Sequence, residues 1–332
     1  MKRTVFLGVG RYVPDRVVTN QDLTQWMDTN DEWIFERTGI RERHWISEET
    51  APSELAEKAA REACERASVA LSEIDAIVLA SLSPEHEFPG TGCFLQARLG
   101  LPGVPAMDIR NQCSGFLYGL SVADAWIKTG QYRHVLLVGT EVHSTGLDIS
   151  TRGRDVACLF GDGAGAAVLG ASEDPERGVL STHLHADGRF TKALWLDSPG
   201  SCYYPLRITK EMLEEGRQFP QMNGRQVFTA ALRHMPEVIH EALKQNNLKL
   251  DDIRLLVPHQ ANQRINEAVA KQLGLPPDRV LHNIERLGNT TAASIPLALY
   301  DAECEGKLNR GDLIMLASFG AGFTWASALV RW

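Results

Sequence analysis

Three segments of this chain recur, in the same order, in its second half. LSEIDAIVLAS from Leu71 matches LDDIRLLVPHQ from Leu250, QARLGLP from Gln96 matches AKQLGLP from Ala270, and VLLVGTE from Val135 matches LIMLASF from Leu313. The offsets are 179, 174 and 178 residues. One such match means little, but three in order at near-constant spacing indicate a duplicated fold. The 332 residues are then one fused core made of two related halves, placed at 1–173 and 174–332.

Each half alternates strand and helix. Helices are expected at 53–68, with Leu55, Ala59 and Ala63 on one face, and at 227–246, with Leu232, Met235, Ile239 and Leu243. Short, continuously apolar strands are expected at Ile77–Ala80, Val135–Val138, Leu255–Val257 and Leu313–Ala317. Such runs belong to sheets buried on both faces. The expected class is therefore α/β, with sheets sandwiched between helix layers. The stretch 189–223 fits neither half. It carries Pro199, Gly200, Pro205, Gly216 and Pro220 and reads as a loop-rich insertion.

Charge and composition exclude several function classes. The net charge is -8, which argues against a general nucleic-acid binder. The apolar run at the N-terminus stops after Leu7, too short for a secretory signal, and no stretch approaches the ~20 apolar residues of a membrane span. Cys64, Cys93, Cys113, Cys158, Cys202 and Cys304 include no CxxC, and there is no HExxH or paired Cys/His cluster. Neither a disulfide framework nor a metal site is expected, and a cytoplasmic protein is.

The chemistry gathers around three polar residues. In NQCSGFLYGL, Cys113 follows the expected strand AMDI and precedes a helix rich in small and apolar residues. A cysteine at a helix start is favoured as a thiolate by free N–H groups and the helix dipole. Counting from the repeat anchors puts Cys113 opposite 287–293, so Asn289 is expected at the matching helix start. His259 lies just past the end of its strand, where ligand sites of open α/β sheets collect. The three are expected to converge between the halves. Two glycine clusters remain. GDGAGAA from Gly161 lacks the third glycine of GxGxxG and the Lys-Ser/Thr of a phosphate loop, and fits a tight turn. FGAGF from Phe319 offers backbone N–H groups to an oxyanion, or is simply a turn.

Together these motifs resemble the β-ketoacyl-acyl carrier protein synthase III family of thiolase-like condensing enzymes. The match runs nearly end to end: DEW from Asp31 with RTGIRER from Arg37, CSGF around Cys113, FGDGAGAAVL from Phe160, LHADG from Leu184, VPHQAN from Val257, GNTTAAS from Gly288 and SFGAGFTWASALVRW from Ser318. The resemblance implies a duplicated thiolase-like αβαβα sandwich, a homodimer, and no cofactor beyond CoA and carrier-protein thioesters as substrates. It implies that Cys113 takes an acyl group from an acyl-CoA primer, with the N–H groups of Cys113 and Ala321 as oxyanion hole. His259 and Asn289 would then stabilise the enolate formed by CO2 loss from a malonyl thioester, on carrier protein or CoA. Trp33, Arg37 and Arg154 would bind CoA; Arg152 lies two residues away. Phe319 would flank the active site, and Phe88 would reach into the partner subunit's primer pocket.

Carrier proteins are acidic, so an acidic enzyme needs a local basic patch. Arg264 and Lys271, seven apart on the helix after His259, are expected to share a face and supply it, with Glu267 between them. Two departures stand out. Leu287 precedes Gly288 where acetyl-primed members commonly carry histidine. The 189–223 segment is longer than theirs and brings Trp195, Tyr203, Tyr204 and Phe219, so a larger acyl or aryl starter is expected if these reach the primer tunnel. The alternative activity is acyl transfer to another acceptor without condensation. A papain-like protease shares Cys, His and Asn, but not the duplicated halves. Simple thiolases use a second cysteine, and Cys304 lies outside the corresponding loop.

Overall fold

The computed structural model describes residues 2–332. Its first half comprises β1 (Arg3–Tyr12), α1 (Asp31–Thr38), α2 (Pro52–Ala67), β2 (Ala76–Ala80), α3 (Thr91–Leu99), β3 (Ala106–Ile109), α4 (Gly115–Lys128), β4 (His134–Glu141) and β5 (Gly163–Ser172). The second half comprises β6 (Gly178–Ala186), α5 (Gly224–Gln245), β7 (Leu255–Pro258), α6 (Gln263–Leu273), α7 (Ser294–Cys304), β8 (Leu313–Gly320) and β9 (Thr324–Arg331). The first sheet has the order β1-β5-β4-β2-β3, and the second has β6-β9-β8-β7. The orders superpose strand for strand. The fifth strand of the second sheet shrinks to one parallel bridge, Leu256 to Val280.

The layers follow from which face each residue presents. Along β2, Ala76 and Val78 join the central core, while Ile77 and Leu79 join the outer one. Along β8, Ile314 and Leu316 face the centre, and Met315 and Ala317 face outwards. Both faces are apolar, so both must be covered. Helices α4 and α7 fill the middle layer, with Phe116, Leu120, Ile127, Ile295 and Leu299 in one cluster with residues of both sheets. Helices α2 and α3 cover the first sheet, and α5 and α6 the second. The five layers form an αβαβα sandwich.

The repeated LGLP segments are helix stops. Gly100 and Gly274 close α3 and α6 with φ of 69° and 76°. The next N–H turns back on the helix in each case: Leu101 to the Gln96 carbonyl at 3.1 Å, and Leu275 to the Ala270 carbonyl at 2.9 Å. Glycine meets the left-handed conformation, and the following proline prevents the helix from continuing.

The 189–223 segment is less irregular than its prolines suggest. A two-stranded ribbon, Leu194–Trp195 against Gln221–Met222, closes its base, and Lys210–Glu214 forms a short helix. Asp197, Tyr203 and Arg217 bond to one another inside it.

Candidate active site

Cys113 stands in a 3-10 turn, Gln112–Ser114, that runs directly into α4. The second half repeats the device with Thr291–Ala293 ahead of α7. Gln112 and Thr291 open the two turns with φ of 43° and 46°. The residue matching Cys113 is therefore Ala292, and the expectation that Asn289 opens the matching helix is corrected. Asn289 sits three residues upstream, its N–H on the Leu159 carbonyl (2.8 Å) and its carbonyl accepting from Gly161 N–H (3.1 Å).

Cys113, His259, Asn289, Phe319 and Gly320 line one cleft, so the three expected catalytic residues do meet. His259 follows β7, and its N–H bonds the Ala317 carbonyl at 2.8 Å. Its Nδ1 lies 2.6 Å from Ser294 Oγ at the start of α7. That hydroxyl oxygen also accepts the Gln260 N–H at 3.4 Å, and its own hydrogen is available to His259 Nδ1. With Ser294 Oγ donating to Nδ1, the imidazole proton sits on Nε2. Nε2 is buried without a partner, and burial pushes the ring's pKa down to about 3. The ring is a neutral donor with nothing to donate to, which points to a ligand. Asn289 has a matching orientation. Its Oδ1 accepts from Thr291 N–H at 2.9 Å, which fixes the amide and leaves the NH2 end unclaimed by that bond.

Cys113 is buried, and burial pushes its thiol up to about 12; the Glu141 carboxylate adds to this. Hydrogen bonds from the N–H groups of Ala321 and Cys113 itself pull the other way. Burial thus opposes the thiolate that the helix start and these N–H groups favour. Gly320 lies against it. A Cβ there would sit 2.5 Å from Cys113 Cβ and 2.8 Å from Sγ, so only glycine lets β8 pass so close.

The remaining expected residues divide. The guanidinium carbons of Arg37 and Arg154 lie 4.4 Å and 5.1 Å from the centre of the Trp33 ring. Arg152 instead bonds Asp148 at 2.6 Å. Arg264 borders a second opening with Arg37, Arg225 and Asn262. It adjoins the main cleft, sharing Gly224, Phe228 and Asn262 with it. Lys271 is exposed on the same helix but outside that lining. Phe319 is buried in the cleft wall; Phe88 is 79% exposed and away from it. The insertion reaches the cleft through Leu194 and Met222, not through its aromatic residues. Tyr203 is held by Asp197 and Arg217, and Tyr204 is 97% exposed.

The sequence reasoning passed over Arg225, Ser294, Glu141 and His143. Ser294 closes the GNTTAAS motif and Glu141 closes the VLLVGTE repeat, so motif membership was the available signal. Glu141 is fully buried and accepts from Ser83 Oγ (2.6 Å), Leu82 N–H (3.2 Å) and Ala292 N–H (3.4 Å). Burial raises its pKa to about 7.

Comparison with known proteins adds the family. Residues 107–188 match the profile of 3-oxoacyl-acyl-carrier-protein (ACP) synthase III, and residues 243–332 match that of its C-terminal region. The β-ketoacyl-acyl carrier protein synthase III of Rhodospirillum centenum is 47% identical over 333 residues, covering 99% of each chain. This chain belongs to the β-ketoacyl-acyl carrier protein synthase III family. Among solved structures, the 3-oxoacyl-acyl carrier protein synthase III of Aquifex aeolicus has a TM-score of 0.91 and 42% identity, covering 99% of this chain and 100% of its own. A priming β-ketosynthase from the R1128 polyketide biosynthetic pathway follows at TM-score 0.90 and 32% identity, covering 99% of this chain and 96% of its own. The duplicated α/β halves expected from the repeat, and the thiolase-like sandwich that the resemblance implies, are the fold these relatives have.

Proposed function

We propose that this chain is a condensing enzyme that loads an acyl group from acyl-CoA onto Cys113 and joins it to a malonyl thioester with loss of CO2. The observation that carries this is the pairing of an enclosed thiol with two neutral donors, His259 Nε2 and the Asn289 amide, in one cleft.

In the first step the Cys113 sulfur attacks the acyl-CoA carbonyl. The N–H groups of Cys113 and Ala321 stabilise the tetrahedral oxyanion. The acyl–sulfur bond to CoA breaks, and the proton lost by Cys113 leaves on CoA-SH. The exchange is neutral overall, which suits a site where burial disfavours a free thiolate. In the second step the malonyl thioester carbonyl accepts from His259 Nε2–H and Asn289 Nδ2–H. Its carboxylate leaves as CO2, and the electron pair becomes an enolate whose oxygen those donors hold. The enolate carbon attacks the acyl-Cys113 carbonyl, the acyl–sulfur bond breaks, the β-ketoacyl thioester departs, and the Cys113 thiolate takes up a proton from solvent. A charged imidazolium is not needed, since the developing charge is on oxygen and the donors are fixed beforehand.

We assign CoA recognition to Trp33, Arg37 and Arg154, and docking of an acidic carrier protein to Arg264 with Arg225. The reaction so written needs no resident cofactor; the thioesters are substrates. A homodimer through the free edge of β3 is supported by Met107 on that strand, 41% exposed, and by Phe88. A cytoplasmic location is supported by six free cysteines; no helix among the described residues is long and apolar enough to cross a membrane.

The competing activity, acyl transfer without condensation, gives the two unclaimed donors no enolate to hold. Incubation with acyl-CoA and malonyl-carrier protein, with CO2 trapped and the thioester product weighed, separates the two. Stoichiometric CO2 and a β-ketoacyl product are expected; acyl transfer without CO2 would overturn the proposal.

A further inference from the structure

Thr291 is a buried, β-branched residue with φ of 46°. That region is open to glycine and strained for a β-branched side chain. Its backbone shape matters because its N–H is the bond that orients the Asn289 carboxamide, at 2.9 Å from Oδ1. The Asn289 main chain is already clamped on both sides by Leu159 and Gly161. What remains free is rotation of the amide, and Thr291 N–H sets it.

Two buried polar groups hold Thr291 in place. His143 Nε2 lies 2.8 Å from Thr291 Oγ1. Glu141 accepts the N–H of Ala292, the next residue. Both come from the end of β4, in the opposite half of the molecule, and His143 is pinned in turn. Its N–H bonds Asp162 Oδ1 at 2.7 Å, and its ring lies 4.6 Å from that of Phe160, a cleft residue. A polar imidazole is a costly choice for a buried position unless its hydrogen bond is used.

We propose that His143, acting through Thr291, is a positioning residue that aims the Asn289 amide at the malonyl carbonyl. This rests on the reading of Asn289 as an enolate donor given above. The path is His143 Nε2 to Thr291 Oγ1, then Thr291 N–H to Asn289 Oδ1, which leaves Asn289 Nδ2–H directed into the cleft. Removing the first link lets Thr291 relax out of the left-handed region and turns its N–H away. The amide then loses its orientation, and the malonyl step slows. Cys113 and the N–H groups of Cys113 and Ala321 lie outside this chain of bonds, so primer loading is spared.

The test measures the two half-reactions separately in His143→Phe and Thr291→Val, with Asn289→Ala as reference. Loading is read by intact mass of the protein after exposure to acetyl-, butyryl- and benzoyl-CoA. The malonyl step is read as CO2 released from malonyl-carrier protein. Both variants are expected to lose about 10- to 100-fold in CO2 release while loading stays within about threefold, since a small misplacement of a reacting group costs that much. Thr291→Ser keeps the hydroxyl and is expected to retain the rate. Thr291→Gly adopts a positive φ without help, so H143F/T291G is expected to recover most of what H143F loses. A merely structural role would lower loading and CO2 release together and would not be rescued by glycine, and that outcome overturns the inference. If Asn289→Ala loses CO2 release while His143→Phe and Thr291→Val keep it, only the inference falls. If Asn289→Ala keeps it, the assignment of Asn289 falls and the inference with it. If His143→Phe does not fold, Thr291→Val against Thr291→Ser decides alone.

Discussion

Gly320→Ala adds one methyl group at the tightest contact in the site. The new Cβ would stand 2.5 Å from Cys113 Cβ, 2.8 Å from Sγ and 3.3 Å from the Cys113 N. Ordinary contact between such atoms is about 3.5–4.0 Å, so roughly 1 Å must be found. It cannot come from Cys113 alone, because Cys113 sits in the turn that starts α4 and is buried. It cannot come easily from β8 either, since Phe319 and Gly320 pair with Trp325 and Thr324 of β9. The overpacking should cost about 1–3 kcal/mol of stability. The larger effect is on the reaction. A displacement of ~1 Å between nucleophile and oxyanion donors costs on the order of 100-fold, and Gly320 immediately precedes the proposed donor Ala321. Stopped-time intact-mass measurement of acyl-Cys113 formation is the assay, with denaturant unfolding alongside it. We expect loading slowed about 100-fold in protein that is still folded. Loading at the wild-type rate would refute the close approach of β8 to the nucleophile.

Three further outcomes follow from the same geometry. Ser294→Ala removes the partner of His259 Nδ1; CO2 release should fall about tenfold or more, with acyl-Cys113 formation little changed, and equal losses in both steps would contradict the tautomer assignment. The Cys113, Cys158 and Cys64 thiols are raised from 9.0 to about 12, 11 and 11, chiefly by burial. The folded protein keeps protons that the unfolded chain loses, so this stability is full below pH 9 and falls as pH rises towards 11, by at most about 1.4 kcal/mol per thiol per pH unit. Urea midpoints should drop between pH 8 and 10.5 and drop less in Cys158→Ala; midpoints that do not move would contradict it. Finally, Arg225→Ala and Arg264→Ala should raise KM for malonyl-carrier protein several-fold, with a weaker salt dependence and little change for malonyl-CoA. An equal change for both donors would remove the docking role.

The repeat made the fold legible because duplication constrains both halves at once. The two-half α/β architecture, four of its central strands and the helix after Cys113 are visible in the sequence; the order of the strands and the helix-stopping role of LGLP appear only in the structure. The register of the catalytic turn was harder. Equivalence there runs at 179 residues, from Cys113 to Ala292, whereas the LGLP match runs at 174. The first half spends five more residues on the loop before α3, and the second half returns them after α6. Counting from anchors with different offsets gave the range 287–293, which holds Ala292, and choosing Asn289 within it missed the match by three residues. Desolvation was also invisible. The helix start favours a Cys113 thiolate, but the sequence does not say how little water reaches it. The buried partners His143 and Glu141 escaped notice because each acts across the interface between halves, and Ser294 because it reaches His259 from 35 residues away, so sequence distance hides the contacts. Trp195, Tyr203, Tyr204 and Phe219 looked like tunnel residues by composition, yet the ribbon turns Leu194 and Met222 to the cleft.

The central claim is a division of labour: Cys113 carries the acyl group, and His259 with Asn289 serve the malonyl step. It is tested most directly by a single-turnover chase. The protein is loaded with acyl-CoA, freed of excess, weighed, mixed with malonyl-carrier protein and weighed again. The account predicts an acyl increment on Cys113, absent in Cys113→Ala, that disappears as one equivalent of CO2 and one of β-ketoacyl-carrier protein form. In Asn289→Ala the increment should form normally and persist through the chase. An acyl group on any other residue, or an Asn289→Ala protein that discharges at the wild-type rate, would contradict it.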